Sequence, residues 1–356
     1  MNDELDVIAN GVGSGTVAKR LMDVGFHANS LRPYTADDGK TYITVNDGKG
    51  GWKPQRIVAN DATLRYDEWK LIDRAVVAAA KPRLRAVADL QQRGLTLGIN
   101  GMGTSIFLSQ TMSDINDAEV SMSGIKRSDQ DRPVFGTSTL PLPIIHKDFS
   151  YTAREIATSR NGGTPLDTTT AELAARKVAE IAEKMLLGTY ASYVFDGAAV
   201  FGYTNYTYRN TKTDMADWAN YPTVDGDDIM ADVMAMITKA KDDYHYGPYM
   251  LYVCPAFGLA LENDFKAASD RTVRERLLAI EGIAGIQTLD YLTDKHVVLV
   301  EMQSDTVRLI EGMALQVVQW PSYGGLQTDF KVMMIAVPQI RSDYNTCCGI
   351  VHGNHT

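Results

Sequence analysis

Six histidines and three cysteines are the side chains of this 356-residue sequence best suited to metal or nucleophilic chemistry: His27, His146, His245, His296, His352 and His355, with Cys254, Cys347 and Cys348. A zinc site on one helix needs two ligands a turn apart, and no His-x-x-x-His pair occurs. Cys347, Cys348 and His352 form the one grouping of metal-ligating types, but adjacent cysteines fit a tetrahedral site poorly and no second cysteine pair exists. Buried structural thiols are the expectation there. An odd cysteine total leaves at least one thiol free in a single chain, which points to a reduced, cytoplasmic site of synthesis.

Phosphate-binding chemistry fares no better. Gly11, Gly13 and Gly15 follow a short apolar run, yet the third glycine of a dinucleotide loop would fall at position 16, which is threonine. Gly98, Gly101 and Gly103 lack a strong preceding strand. No Gly-x-Ser-x-Gly elbow, His-Glu-x-x-His pair or Walker loop is present. Asp227 and Asp228 fit a helix N-terminus, whereas Asp242 and Asp243, near a C-terminus, read as a solvated face. The expectation is a protein without catalytic, cofactor or metal residues and not an enzyme, a nucleotide-binding enzyme being the least favoured alternative.

One charge feature stands apart. Lys+Arg is 35 against Asp+Glu 44, a formal net charge of -9. Residues 52–95 reverse this balance, with Lys53, Arg56, Arg65, Lys70, Arg74, Lys81, Arg83, Arg85 and Arg93 against Asp61, Asp67, Glu68, Asp73 and Asp89. A solvated helix face is the plain reading. The sharper one is an amphipathic segment making non-specific phosphate contacts through Lys53, Arg56, Lys81, Arg83 and Arg85.

The elements that position these residues mix helix and strand without a regular βαβ beat, so the class is α+β. Hydrophobic residues at 45% argue against wholesale disorder. No apolar run is long enough to span a membrane, and the acidic N-terminus lacks the pattern of a signal peptide. Residues 1–55 read as hairpin and loop, with Thr41–Val45 followed by Asn46-Asp-Gly48. Leu64, Trp69, Ile72, Val76, Val77, Leu84, Val87 and Leu90 fall near helical spacing over 63–93, with Thr63 as N-cap and Pro82 splitting the run in two. Residues 94–118 read as a flexible connection. Residues 119–145 read as a long β-hairpin with a charged tip, its arms at 119–122 and 140–145. A helix over 169–187 is the clearest of all, with Leu173, Val178, Ile181, Met185 and Leu186 in one stripe and Gly188 ending it. At 1.5 Å per residue it is a rod of roughly 27 Å. Helices are expected over 225–244, 256–266 and 271–280. Strands are expected at 249–253, 286–289, 297–301, 307–311, 314–320, 328–337 and 348–351.

The order of these elements resembles the shell proteins of tailed phages and bacterial encapsulins, the Hong Kong 97-type fold. Ala62–Asp73, with its Trp and Ile-Asp, resembles the encapsulin N-terminal helix. Leu140–Glu155 resembles the strand that leaves the extended loop, and Leu166–Gly188 the long spine helix. Gly247–Val253, Val298–Glu301, Leu309–Gly312 and Thr328–Phe330 are similar to the strands of the axial domain and the closing strands. The resemblance implies an N-terminal arm or appended element (1–62), N-terminal helices and connection (63–118), an extended loop (119–145), a peripheral domain (146–224 and 307–356) and an axial domain (225–306). It also implies that Val120, Met122, Val134, Phe135 and Leu140 on the loop are covered by a neighbouring subunit. Some members cross-link covalently through a loop lysine, and Lys126 lies at the tip, with no partner assigned.

The implied function is that of a tailed-phage major capsid protein, a virion component assembled in the host cytoplasm into pentamers and hexamers of an icosahedral head. Its partners would be itself, packaged double-stranded DNA bound non-specifically, and scaffold, portal or decoration proteins, with no membrane and no cofactor. The alternative is an encapsulin nanocompartment shell enclosing cargo enzymes.

Overall fold

The computed structural model describes residues 34–35, 41–46, 52–56, 64–113, 118, 120–123, 125, 132–162, 166–266, 270–343 and 345–355. In chain order, strands β1 (Tyr34–Thr35), β2 (Thr41–Asn46) and β3 (Trp52–Arg56) form a small antiparallel sheet. Helices α1 (Tyr66–Ala80) and α2 (Arg85–Gln92) and strands β4 (Thr96–Gly98), β5 (Ile106–Met112), β6 (Phe135–Pro141) and β7 (Ile145–Thr152) follow. Next come α3 (Ala153–Gly162), α4 (Thr169–Leu187), β8 (Val194–Phe195), β9 (Ala198–Ala199) and β10 (Asn210–Lys212). The remainder is α5 (Gly226–Asp242), β11 (Tyr249–Val253), α6 (Pro255–Ala260), α7 (Val273–Leu278), β12 (Ile283–Thr288), β13 (His296–Glu301), β14 (Val307–Ser322), β15 (Gln327–Ile340) and β16 (Ile350–Asn354). The chain divides into two compact units: 1–105, 142–184 and 309–337 in the first, and 106–141, 185–308 and 338–356 in the second.

In the first unit, Pro82 splits the N-terminal helical run through a 3-10 turn at Lys81–Arg83, because proline has no N–H to continue the ladder. The cap at the start of α1 is Arg65 rather than Thr63, which lies outside the described residues; Glu68 Oε2 accepts the Arg65 N–H at 2.7 Å. The sheet runs β4-β14-β15-β7, with β7 antiparallel to β15 from Thr152↔Gln327 to Ile145↔Met334 and β4 parallel to β14. Fully buried Phe330 stacks on Phe149 at 5.0 Å and meets Tyr151 and Trp69 edge-on at 5.6 and 5.9 Å. Gly101 and Gly312 let β14 approach the loop that follows β4: a Cβ on Gly101 would lie 2.7 Å from Gly312 Cα. Two expected strands at 307–320 are therefore one, since Gly312 serves a close approach instead of a break.

The second unit is built on the sheet β10-β16-β13-β11-β12, in which β11 is antiparallel to β13 and parallel to β12. Trp218, Ile229, Val233, Met236, Phe257 and Leu299 belong to its core. Asp225 caps α5, accepting the N–H groups of Asp227 and Asp228 at 2.9 and 3.1 Å. The expected helices over 256–266 and 271–280 are shorter, at Pro255–Ala260 and Val273–Leu278, because the chain turns at 261–266 and Thr272 caps a new start.

Three further differences from the sequence reading matter. The connection at 94–118 carries strands β4 and β5, and β5 pairs with β6 from Ile106↔Pro141 to Met112↔Phe135. The hairpin arms are therefore 106–112 and 135–141, not 119–122 and 140–145. The glycines at 98, 101 and 103 masked a run of good strand formers. Helix α3 over 153–162 has no strong apolar stripe in the sequence to announce it; Thr152 Oγ1 and Glu155 close a reciprocal box at its start, with Thr152 N–H donating to Glu155 Oε2 at 2.7 Å.

Candidate assembly surface

The β5–β6 ribbon belongs to the second unit. Side chains alternate across a strand, so Leu108 and Phe135 share one face while Ser109, Thr111 and Ser138 share the other. The first face is bare: Leu108 is 63% and Phe135 65% exposed; Val134, next along the chain and toward the other face, is also 63% exposed. Val120 and Met122, beyond the paired arms, are wholly exposed. Of the five apolar loop residues read from sequence, four are thus unburied in a single chain, and Leu140 alone is half-buried. Leu108, which sequence reasoning missed, joins them because β5 begins earlier than expected. Its alternation with Phe107 and Ser109 was the available signal. Lys126 lies outside the described residues.

The five basic residues behave differently. Lys81 and Arg83 lie on the turn between α1 and α2 and Arg85 is the first residue of α2, all in the first unit; Lys81 and Arg85 are exposed and Arg83 is half-buried. Lys53 and Arg56 lie on β3, and their side chains are outside the described set. The start of α2 is held from the spine helix, where Glu183 accepts the N–H groups of Ala86 at 2.7 Å and Val87 at 3.2 Å. Burial pushes the Glu183 carboxyl up to about 7, against the pull of those two donors. Arg160 forks onto Glu68 at 2.7 and 2.8 Å.

In the second unit two clusters tie the sheet to its loops. Glu301, almost wholly buried, takes hydrogen bonds from His245, the Gly247 N–H at 2.9 Å and the Thr306 hydroxyl at 2.9 Å. Burial alone would raise the Glu301 carboxyl, but these donors together outweigh it and hold it below its usual range; the same bond raises His245. His352 accepts Arg209 Nε–H on Nδ1 at 3.2 Å, so its Nε2 carries the hydrogen that reaches His296 Nδ1 at 2.7 Å. Burial, then the neighbouring His296 and Arg209, push His352 down to about 4. With both ring nitrogens engaged, His352 is a structural hydrogen-bonding residue rather than a ligand beside Cys347 and Cys348. Cys348 and Cys254 are buried thiols, and burial drives Cys348 up to about 12. Among the described residues no group of three or more His, Cys, Asp or Glu side chains could hold a metal ion.

The profile of a family of unknown function, DUF6260, matches residues 59–353. The chain belongs to the DUF6260 family. No curated protein matches it. Among solved structures, the DUF6260 chain resembles a virus-like particle from Pyrococcus furiosus, with a TM-score of 0.58 and 16% identity over 81% of this chain and 99% of that one. It resembles the capsid of Myoviridae phage XM1 at a TM-score of 0.59 and 11% identity, over 75% of this chain and 91% of that one. A chain described as Mycobacterium phage Bobi matches at 0.54 and 11%, over 75% and 90% respectively. The fold of this DUF6260 chain is the α+β Hong Kong 97-type fold. Among the described residues no helix is long and apolar enough to cross a membrane.

Proposed function

We propose that this DUF6260 chain is a shell-building subunit, the major capsid protein of a tailed bacteriophage, which closes through pentamers and hexamers into an icosahedral head around DNA. The observation that carries this reading is the β5–β6 ribbon. Its apolar residues Leu108, Val134 and Phe135 stay bare in one chain, in a fold shared with a phage capsid and a virus-like particle. An exposed apolar surface of this kind costs solubility unless a partner covers it, and in a shell the partner is another copy held by heterologous contacts that close into rings. Lys81 and Arg83 on the α1–α2 turn and Arg85 at the start of α2 then supply non-specific phosphate contacts inside the head. Scaffold, portal and decoration proteins are the remaining partners of this reading, and the virion is its location.

Deletion of residues 123–134 tests it. The shortened chain stays soluble and no longer closes into particles; normal particles from the deletion would remove the loop from the assembly mechanism. An encapsulin-type compartment enclosing protein is the second reading. It is favoured by the match to the Pyrococcus virus-like particle, which extends over 99% of that chain. Nuclease-protected DNA within purified particles separates the two.

A further inference from the structure

In the second unit's sheet, β16 lies between β10, parallel to it, and β13, antiparallel to it. Side chains alternate across a strand. Val351 belongs to the core that α5 covers, and a Cβ on Gly353 would meet Met215 and Met236. His352 between them therefore turns to the opposite face. His296 shares that face from β13, two positions from Val298, the residue paired with His352. The 200–209 segment lies over the same side: Tyr203 stacks on Tyr252 with ring centres 6.0 Å apart, and Arg209 reaches His352.

Arg209, His352 and His296 form one directed chain of hydrogen bonds. Arg209 Nε–H donates to His352 Nδ1 at 3.2 Å, His352 Nε2–H donates to His296 Nδ1 at 2.7 Å, and the two rings lie 4.9 Å apart. Arginine keeps its charge and can only donate, which fixes the direction. Each imidazole nitrogen that could take a proton is thus already an acceptor. A proton on His352 Nδ1 expels the Arg209 N–H, and one on His296 Nδ1 meets the His352 N–H head-on. Either event breaks a bond and sets a second positive charge near Arg209.

Nothing built into the surroundings neutralises that charge. Among the described residues no carboxylate is ion-paired with Arg209, His296 or His352, and the 200–209 segment carries Arg209 as its one charged residue, beside the phenols of Tyr206 and Tyr208. Asp294, just before β13, favours a charged His296, but burial and Arg209 outweigh it. Lys295 is tied to Asp217 at 2.7 Å, His355 bonds to Met215 O at 2.8 Å, and on the α5 side Asp243 accepts Asn210 Nδ2–H at 2.7 Å. A cation at His352, 6% exposed, is therefore buried without a partner.

The strand beside it is the sheet's shortest. β10 has three residues, pairs in this sheet with β16 alone, and is led in by Arg209. Its far end stays fixed, because Lys212 pairs with Asp232 at 3.1 Å.

We propose that the Arg209–His352–His296 chain is an acid-sensitive latch: neutral imidazoles lock the Arg209 end of β10 onto β16, and protonation of the pair releases it. The latch belongs to the single chain and does not depend on the shell reading. Its sign follows from the depressed histidines. The closed form is fully favoured above the ordinary value of 6.5 and weakens as pH falls from there toward about 4, the value to which His352 is pushed. Near pH 5 the loss for His352 alone is about thirtyfold relative to neutral pH.

Residue-resolved amide hydrogen exchange of the dispersed full chain near pH 7.5 and near pH 5, corrected for the intrinsic pH dependence of exchange, is the test, together with imidazole nitrogen shifts over the same range. The β10 amides bonded to β16 lose about thirtyfold in protection, those of β11 keep theirs, and both histidines titrate below their ordinary value. His352→Gln retains a neutral donor and acceptor that acid does not charge, and it cuts the β10 loss to roughly threefold or less; His296→Gln acts in the same direction. Should His352→Gln fail to fold, the wild-type exchange and His296→Gln decide. Unchanged β10 protection, histidines titrating at 6.5, or a folded His352→Gln chain with the full loss overturns the latch. β11 amides opening in step with β10 overturn its local character, since acid then unfolds the unit as a whole.

Discussion

Phe135→Ser isolates the energetic core of the assembly argument. Phe135 is 65% exposed, and a phenylalanine offers roughly 200 Å². About 130 Å² thus remains to be buried when a neighbour covers the ribbon, worth about 3 kcal/mol at 25 cal/mol per Å². Each subunit contributes one such ribbon. Losing that term raises the critical concentration for assembly about a hundredfold, since 1.4 kcal/mol is a factor of ten. Because the side chain is already largely in water, the folded chain loses little, and its urea midpoint moves by no more than about 0.5 kcal/mol. Light scattering against protein concentration reads the first quantity, and urea unfolding of the dispersed chain reads the second. An unchanged critical concentration with an unchanged midpoint refutes the idea that this face is buried in the assembly. A large loss of stability in the dispersed chain refutes the premise that the face is bare.

Other perturbations follow from the buried titratable groups and the basic turn. The Glu183 carboxyl is raised in the folded chain from 4.5 to about 7, so the folded state holds its proton more tightly and stability falls as pH climbs through that window, by about 3 kcal/mol in all. In urea titrations Glu183→Gln gains on the wild type by about that amount between pH 4.5 and 7, and a difference independent of pH contradicts the assignment. Glu301→Gln costs about 3 kcal/mol near pH 6, as breaking a buried pair does. The gap narrows as pH falls through the depressed Glu301 value, or rises through the raised His245 value, and a gap that stays constant over that range refutes the pairing. Lys81→Gln with Arg83→Gln lowers the slope of log affinity for duplex DNA against log salt by about 2; an unchanged slope takes this turn out of DNA contact.

Much of the fold can be read locally, where a short stretch of sequence decides the outcome. Pro82 ends α1 through its own missing N–H, Asp225 caps α5 with its own side chain, and the stripe of α4 and its Gly188 terminator declare that helix. The hairpin was displaced because β5 is specified by its register with β6, about thirty residues away, while its flanking glycines look like loop. The site was legible only as a list of apolar loop residues; the register of the β5–β6 ladder is what assigns Leu108 to the bare face. Glu183 at the start of α2 and Glu301 beside His245 are separated from their partners by 97 and 56 residues. No spacing rule joins such positions, because burial by the folded chain is what pairs them.

Electron microscopy of the purified full-length chain bears most directly on the central claim. The account predicts closed particles with five-fold vertices, assembled from pentamers and hexamers. A chain that remains a monodisperse monomer across protein concentration, salt and pH would contradict it.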